Sequence, residues 1–131
     1  MASPASGGQT NLGVAPNVGG LLCYIPCCIG FLFSIVVAVV EKQSRFVRFH
    51  AFQSLLLHAI MLVIGFGFFF ISIALAFANV GLLNLILLPI RLLLGLAFLA
   101  VLIVLMIKAN GGEQYELPVI GEMARKWASG S

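Results

Sequence analysis

His50, Ser54 and His58 recur at i, i+4 and i+8, with Gln53 beside Ser54 and with Met61 and Gly65 continuing the row. On a helix these side chains share one face, and in an apolar chain such a face must turn toward protein or water. Three chemistries fit the pattern. Hydrogen bonding between helices is the plainest, with His50 near headgroup level and His58 about 12 Å deeper at ~1.5 Å per residue. A proton or ion path is the second, because intramembrane histidines commonly serve one. A metal site is the third and the poorest geometrically, since imidazoles at i and i+8 cannot share an ion without bending and no carboxylate stands near them.

Arg91 is the single charge inside an apolar run. Counted from Lys108 it lies ~25 Å along the helix, near the outer edge of a ~30 Å hydrocarbon core. It either snorkels to the surface or, with Asn84 on the same face, lines a cavity open to the outside. The same counting separates it from His58 by roughly 13 Å in depth, so the two are not paired. Cys23, Cys27 and Cys28 form a C-x3-CC group around Tyr24 and Pro26 without further ligands. Reduced cysteine packed as a small apolar residue is the default there, with an intermolecular disulfide as the alternative. The chain holds no Asp, its four Glu flank the apolar runs, and no glycine-rich loop joins a strand to a helix. The expectation is therefore no enzyme and no cofactor.

Elements of a particular kind must carry these residues. Of 131 residues, 62% are hydrophobic and 8% charged, far from the roughly one-quarter charged fraction of soluble domains. The reading is an all-α integral membrane protein with three transmembrane helices and a short C-terminal amphipathic helix at the interface. A span needs about 20 apolar residues, which places three at about 17–40, 50–79 and 82–107, within a membrane domain 17–110. Residues 1–16 are small and polar and read as a disordered tail. Residues 111–131 read as a tether and a helix with Val119, Ile120, Met123 and Trp127 on one side, lying on the membrane surface. Pro26 and Gly30 predict a kink in the first span rather than a break. GFGFFF, Gly65 to Phe70, reads as helix-packing material.

The turn EKQSRFVRFH carries Lys42, Arg45 and Arg48, three of the seven basic residues, and the C-terminal flank carries Lys108, Arg125 and Lys126. The positive-inside rule then puts the turn and the C-terminus in the cytoplasm and, across three spans, the N-terminus outside, in an inner (plasma) membrane. Lys42, Arg45, Phe46, Arg48, Phe49 and Trp127 are the candidate interface anchors, and Glu113 and Glu116 the expected partners of the arginines. The net charge of +3 speaks to topology and headgroups, not to nucleic acid.

LLCYIPCCIGFLF, the turn that follows it, and the closing IKANGGEQYELPVIG together resemble a family of small prokaryotic membrane proteins. Phe46, Val47, Arg48, Phe49, His50, Ala51, Gln53 and Leu55 to Leu57 match its first signature. Lys108, Ala109, Gly112, Glu113, Tyr115 and Pro118 match its second. That family is related in name and hydropathy to the twenty-kilodalton subunit of the chloroplast inner-envelope import translocon, which spans the membrane four times and has a channel or scaffold role. The resemblance implies a scaffold or accessory subunit that acts by assembly with itself or with other membrane proteins in the lipid bilayer. The alternative is a homo-oligomeric channel or transporter for ions or small solutes, lined by His50, Ser54, His58, Asn84 and Arg91.

Overall fold

The computed structural model describes residues 10–26 and 28–130. Among them the chain is all-helical, in five helices: α1 (Pro16–Leu22), α2 (Cys28–Val40), α3 (Arg45–Phe77), α4 (Leu83–Asn110) and α5 (Ile120–Gly130). Two of these, α3 and α4, are long and apolar enough to cross a membrane. The three-span expectation needs correcting at its first span, because residues 17–40 do not form one helix.

Instead α1 and α2 form a hairpin. Pro16 opens α1 at a position where its missing N–H costs nothing, and the chain turns around Tyr24 and Pro26. Gly30 makes the reversal possible. Its N–H donates to the Ile25 carbonyl at 3.2 Å, and a Cβ there would lie 2.3 Å from that oxygen. Ser34 Oγ donates to the Cys23 carbonyl at 3.1 Å and ties the returning helix to the tip. α2 has 13 residues, about 20 Å of helix, which is short of a ~30 Å hydrocarbon core. Its outward side chains Ile29, Leu32, Val36 and Val39 are nonetheless apolar and exposed.

The two ends of the hairpin therefore meet at one level. Asn11 N–H donates to Glu41 Oε2 at 2.8 Å, and Asn11 Oδ1 accepts from the N–H groups of Lys42 and Gln43 at 2.7 and 3.1 Å. At the other end of the sequence, Asn17 Nδ2 donates to the Asn110 carbonyl. The segment before α1 thus shares a face with the first turn and with the end of α4, whereas a first span would have put it across the membrane. Of the tail expected over 1–16, residues 1–9 lie outside the described residues, while 10–15 are docked here.

α3 begins where Ser44 Oγ accepts from Val47 N–H, with Glu41 Oε1 accepting from Gln43 and Ser44 N–H just before it, a side-chain cap of the kind helix N-termini need. It starts at Arg45, ahead of the part expected to lie within the membrane. α4 runs through Pro89 and ends in a Schellman turn: Gly112, at φ 80°, donates to Ala109 O while Glu113 donates to Lys108 O. In their far halves the spans share one seam. Met61, Ile64, Phe68, Ser72 and Leu75 of α3 and Asn84, Leu87, Arg91, Leu94 and Phe98 of α4 are half-buried, recurring every three or four residues, and their neighbours are exposed. Gly65 and Gly67 face open space, so GFGFFF is not packed within this chain.

The near halves are wrapped. α1 lies against both spans because its Gly20 carries no side chain: a Cβ there would be 3.0 Å from His50 and Phe46 and 3.2 Å from Ala109, closer than a methyl sits without a shift. α5 does not lie free on the surface but packs on α3 through small residues. Ala124 and Ala128 are buried against Phe49, and the Trp127 ring meets Phe52 edge-on at 5.9 Å. Of the apolar side foreseen for it, Val119, Met123 and Trp127 remain exposed.

Candidate functional site

The polar residues of the turn and of early α3 converge on backbone. Arg48 is 2% exposed, and its guanidinium donates to the carbonyls of Glu41 at 2.6 Å, Ala38 at 3.5 Å and Ala128 at 3.3 Å. These are the carbonyls left over at the C-terminal ends of α2 and α5, so one side chain closes two helices. Arg48 is thus no headgroup anchor, and Phe46 and Phe49, both buried, are core rather than interface. The reason is the same for all three: the α1–α2 hairpin and α5 cover the first turns of α3. Lys42, Arg45 and Trp127 are exposed.

One turn further on, Gln53 Nε2 donates to Tyr24 Oη at 2.9 Å and to the Tyr115 carbonyl at 3.0 Å, while Gln53 Oε1 accepts from Leu117 N–H at 2.9 Å. The amide side chain stands in for a strand partner and pins the tether that leads to α5. Tyr24 Oη lies 2.8 Å from His50 Nδ1. His50 Nε2 is buried with no hydrogen-bond partner within the described residues. Ser54 Oγ donates to the Cys23 carbonyl at 2.6 Å, the group that Ser34 also serves. His58 Nδ1 lies 2.8 Å from the Ser54 carbonyl, with its ring between Phe31 and Phe98 at 5.6 and 5.3 Å.

His50, Gln53 and Ser54 thus turn to the hairpin tip and the tether, while His58 lies between α2 and α4. His50 and His58 have separate partners. Asn84 and Arg91 meet in a second cluster, on the far-half seam: Arg91 Nη2 donates to Ser72 Oγ, and to Asn84 Oδ1 and the Phe68 carbonyl, each at 3.4 Å. Among the described residues no group of three metal-ligating side chains forms. Cys23 is buried and Cys28 exposed, both free thiols; Cys27 lies outside the described residues.

All four carboxylates are engaged. Besides the cap made by Glu41, Glu113 pairs with Lys108 at 3.1 Å, Glu116 with Arg125 at 3.0 Å and Glu122 with Lys126 at 3.1 Å. The Lys126 hydrogen bond and charge hold the Glu122 carboxyl below the usual carboxylate range. The expected pairing of Glu113 and Glu116 with Arg45 and Arg48 is replaced by these contacts, because the tether runs past Lys108 and α5 brings its own bases. Sequence reasoning gave no role to Tyr24, Ser34 or Ser72, nor to Glu41 as a cap. Each is an isolated polar group in or beside an apolar run, which is the signal that was available.

The helices and the contacts of Arg48, Gln53 and Ser54 define a small all-helical membrane protein in which these buried polar groups join elements. The model of the magnetosome magnetite crystal formation protein family, MamF/MmsF, matches residues 9–124, and the chain belongs to this family. It is 37% identical over 121 residues to the UPF0132 membrane protein MJ1443 of Methanocaldococcus jannaschii, covering 92% of this chain and 96% of that protein. A UPF0132 membrane protein of Archaeoglobus fulgidus is 34% identical over 114 residues, 87% of this chain and 96% of that one. A further relative from Methanocaldococcus jannaschii, the UPF0132 membrane protein MJ1527, is 30% identical over 116 residues, 88% of this chain and 72% of that one. No solved structure matches. None of these matches carries a link to the import translocon.

Proposed function

We propose that this is a non-enzymatic membrane scaffold or accessory subunit that acts by assembling with itself or with other membrane proteins in the bilayer. One observation carries the reading. Arg48, Gln53, Ser54 and Glu41 all bind backbone of neighbouring elements, which builds a rigid collar on two spans whose far halves touch only along one seam. The remaining faces of those spans, with Gly65, Gly67 and Gly95 open, are free for helices of other chains. The family description, magnetite crystal formation, enters here as a role in organising the membrane around that process. Contact with mineral through acidic groups is disfavoured, since each carboxylate already has a partner. A scaffold role is also what the translocon-like signature implied. The membrane is taken to be the inner (plasma) membrane, with no nucleic-acid partner, and the positive-inside rule puts the collar, with both described ends, in the cytoplasm.

A second reading, a homo-oligomeric channel or transporter for ions or small solutes, draws on the Ser72, Asn84 and Arg91 cluster, whose polar groups lie within the far halves of the spans. Native mass spectrometry in lipid nanodiscs separates the two. A defined homo-oligomer that conducts in liposomes, and loses flux but not assembly in His58→Leu and Arg91→Gln, favours the channel. Assembly without flux, or a monomer captured with a stoichiometric membrane partner, favours the scaffold.

A further inference from the structure

Arg91 is a charge whose partners are all neutral. Its Nη2 is spent on Ser72 Oγ, Asn84 Oδ1 and the Phe68 carbonyl, and its carbon lies 5.3 Å from the centre of the Phe68 ring. Nε is buried without a partner, and Nη1 makes no hydrogen bond within the described residues. A guanidinium has five donors; with Nη2 occupied and Nε buried, the two on Nη1 are the ones left for an outside acceptor.

No carboxylate of this chain can supply that anion. The sequence has four, Glu41, Glu113, Glu116 and Glu122, all in the collar, while Arg91 lies ~25 Å along α4 from Lys108. A second copy in the same orientation brings its own four to that same end, so self-association does not provide a counter-ion either. Yet an arginine inside a span is rare unless it pairs with another group or reaches water or headgroups. The depth of Arg91, near the outer limit of a ~30 Å core, is where phosphates of the far leaflet begin. Its flanks, Leu88 and Leu92, are exposed and apolar, as acyl chains require.

We propose that Arg91, oriented by Ser72 and Asn84, is a phosphate-binding site in the far half of the spans, filled by the headgroup phosphodiester of a lipid of that leaflet. Arginine is suited to the task because its guanidinium is permanently charged and makes charge-assisted hydrogen bonds to phosphate oxygens; Ser72 and Asn84 hold Nη2 without neutralising the charge, and Nη1 supplies the donors for the phosphate.

The test is native mass spectrometry of the full chain released from mild detergent, titrated with phosphatidylglycerol, diacylglycerol or inorganic phosphate. Wild type should hold one more phosphatidylglycerol than Arg91→Gln, with the affinity at that site falling about tenfold or more, the loss of one strong charged contact. Arg91→Lys should give an intermediate loss, and diacylglycerol should not compete. Retention of the lipid against millimolar inorganic phosphate identifies the lipid as the source. Its displacement by inorganic phosphate, with a phosphate adduct in its place, assigns the same site to a soluble anion. Trp127, the single tryptophan and part of the distant collar, reports folding through its fluorescence. Should Arg91→Gln fail that control, the wild type and Arg91→Lys carry the comparison. Equal binding of phosphatidylglycerol and diacylglycerol by wild type, or equal phosphatidylglycerol binding by wild type and a folded variant, overturns the proposal.

Discussion

A buried arginine is a liability unless its donors are used, and Arg48 uses them on carbonyls that two helix ends would otherwise leave bare. Truncation to alanine removes the charge and strands those carbonyls at once. We expect Arg48→Ala to lower stability in detergent by about 3 kcal/mol, the range of charged hydrogen bonds plus the lost packing, read as a fall in the thermal midpoint of Trp127 fluorescence. Arg48→Lys should recover only part, because an ammonium cannot span the same carbonyls as a fork. Arg48→Glu should be worse than either, and adding Glu113→Arg or Glu116→Arg should not rescue it, since those carboxylates belong to Lys108 and Arg125. A rescue by either would mean that the tether docks differently from the arrangement seen here.

At the scale of elements, the hairpin is the departure from what hydropathy implies. Residues 17–40 are long and oily enough to cross a bilayer, and a hydropathy reading measures length and oiliness, not direction. The turn depends on contacts that a window over one segment does not see: Asn11 with Glu41, and Ser34 and Ser54 on one carbonyl. Pro26 and Gly30 were legible as a weak point, α3 and α4 as spans, and the polar face of α3 as a face toward protein. The partners of that face were not legible, because each depends on which segment folds against it. The two kinds of glycine give the contrast a test. Gly30→Ala places a methyl against backbone that cannot yield and should open the hairpin, measured as faster amide exchange across Cys23 to Ser34 and a loss of 2 kcal/mol or more, as overpacking of a tight site costs ~1–3. Gly65→Ala meets nothing within 4 Å and should leave the monomer's stability unchanged or raised by up to about 1 kcal/mol. Equal effects of the two would remove the hairpin from the account.

For the whole molecule, the hairpin decides the topology. With α1 and α2 returning to the level at which they started, the proposed topology has α3 and α4 as its crossings and puts the segment from Thr10, the charged turn and α5 on one side of the membrane. Lys42, Arg45, Arg48, Lys108, Arg125 and Lys126 then all lie on that side, and Arg91 is the one basic residue elsewhere, so a single orientation satisfies the positive-inside rule with an even number of crossings. The three-span arrangement satisfies the same rule with the N-terminus opposite, which is why charge counting did not distinguish them. An impermeant maleimide does, in cells and in inverted vesicles, on variants in which Cys23, Cys27 and Cys28 are alanine. Gln43→Cys and Ser129→Cys should label from the cytoplasmic side, a cysteine placed ahead of Thr10 should label from that side too, and Val80→Cys, in the turn between the spans, should label only from the other. If the N-terminal cysteine instead reports with Val80, residues 17–40 have opened into a full span. The contacts of Asn11 with Glu41, Lys42 and Gln43 would then be impossible, and the collar built on them would have to be abandoned.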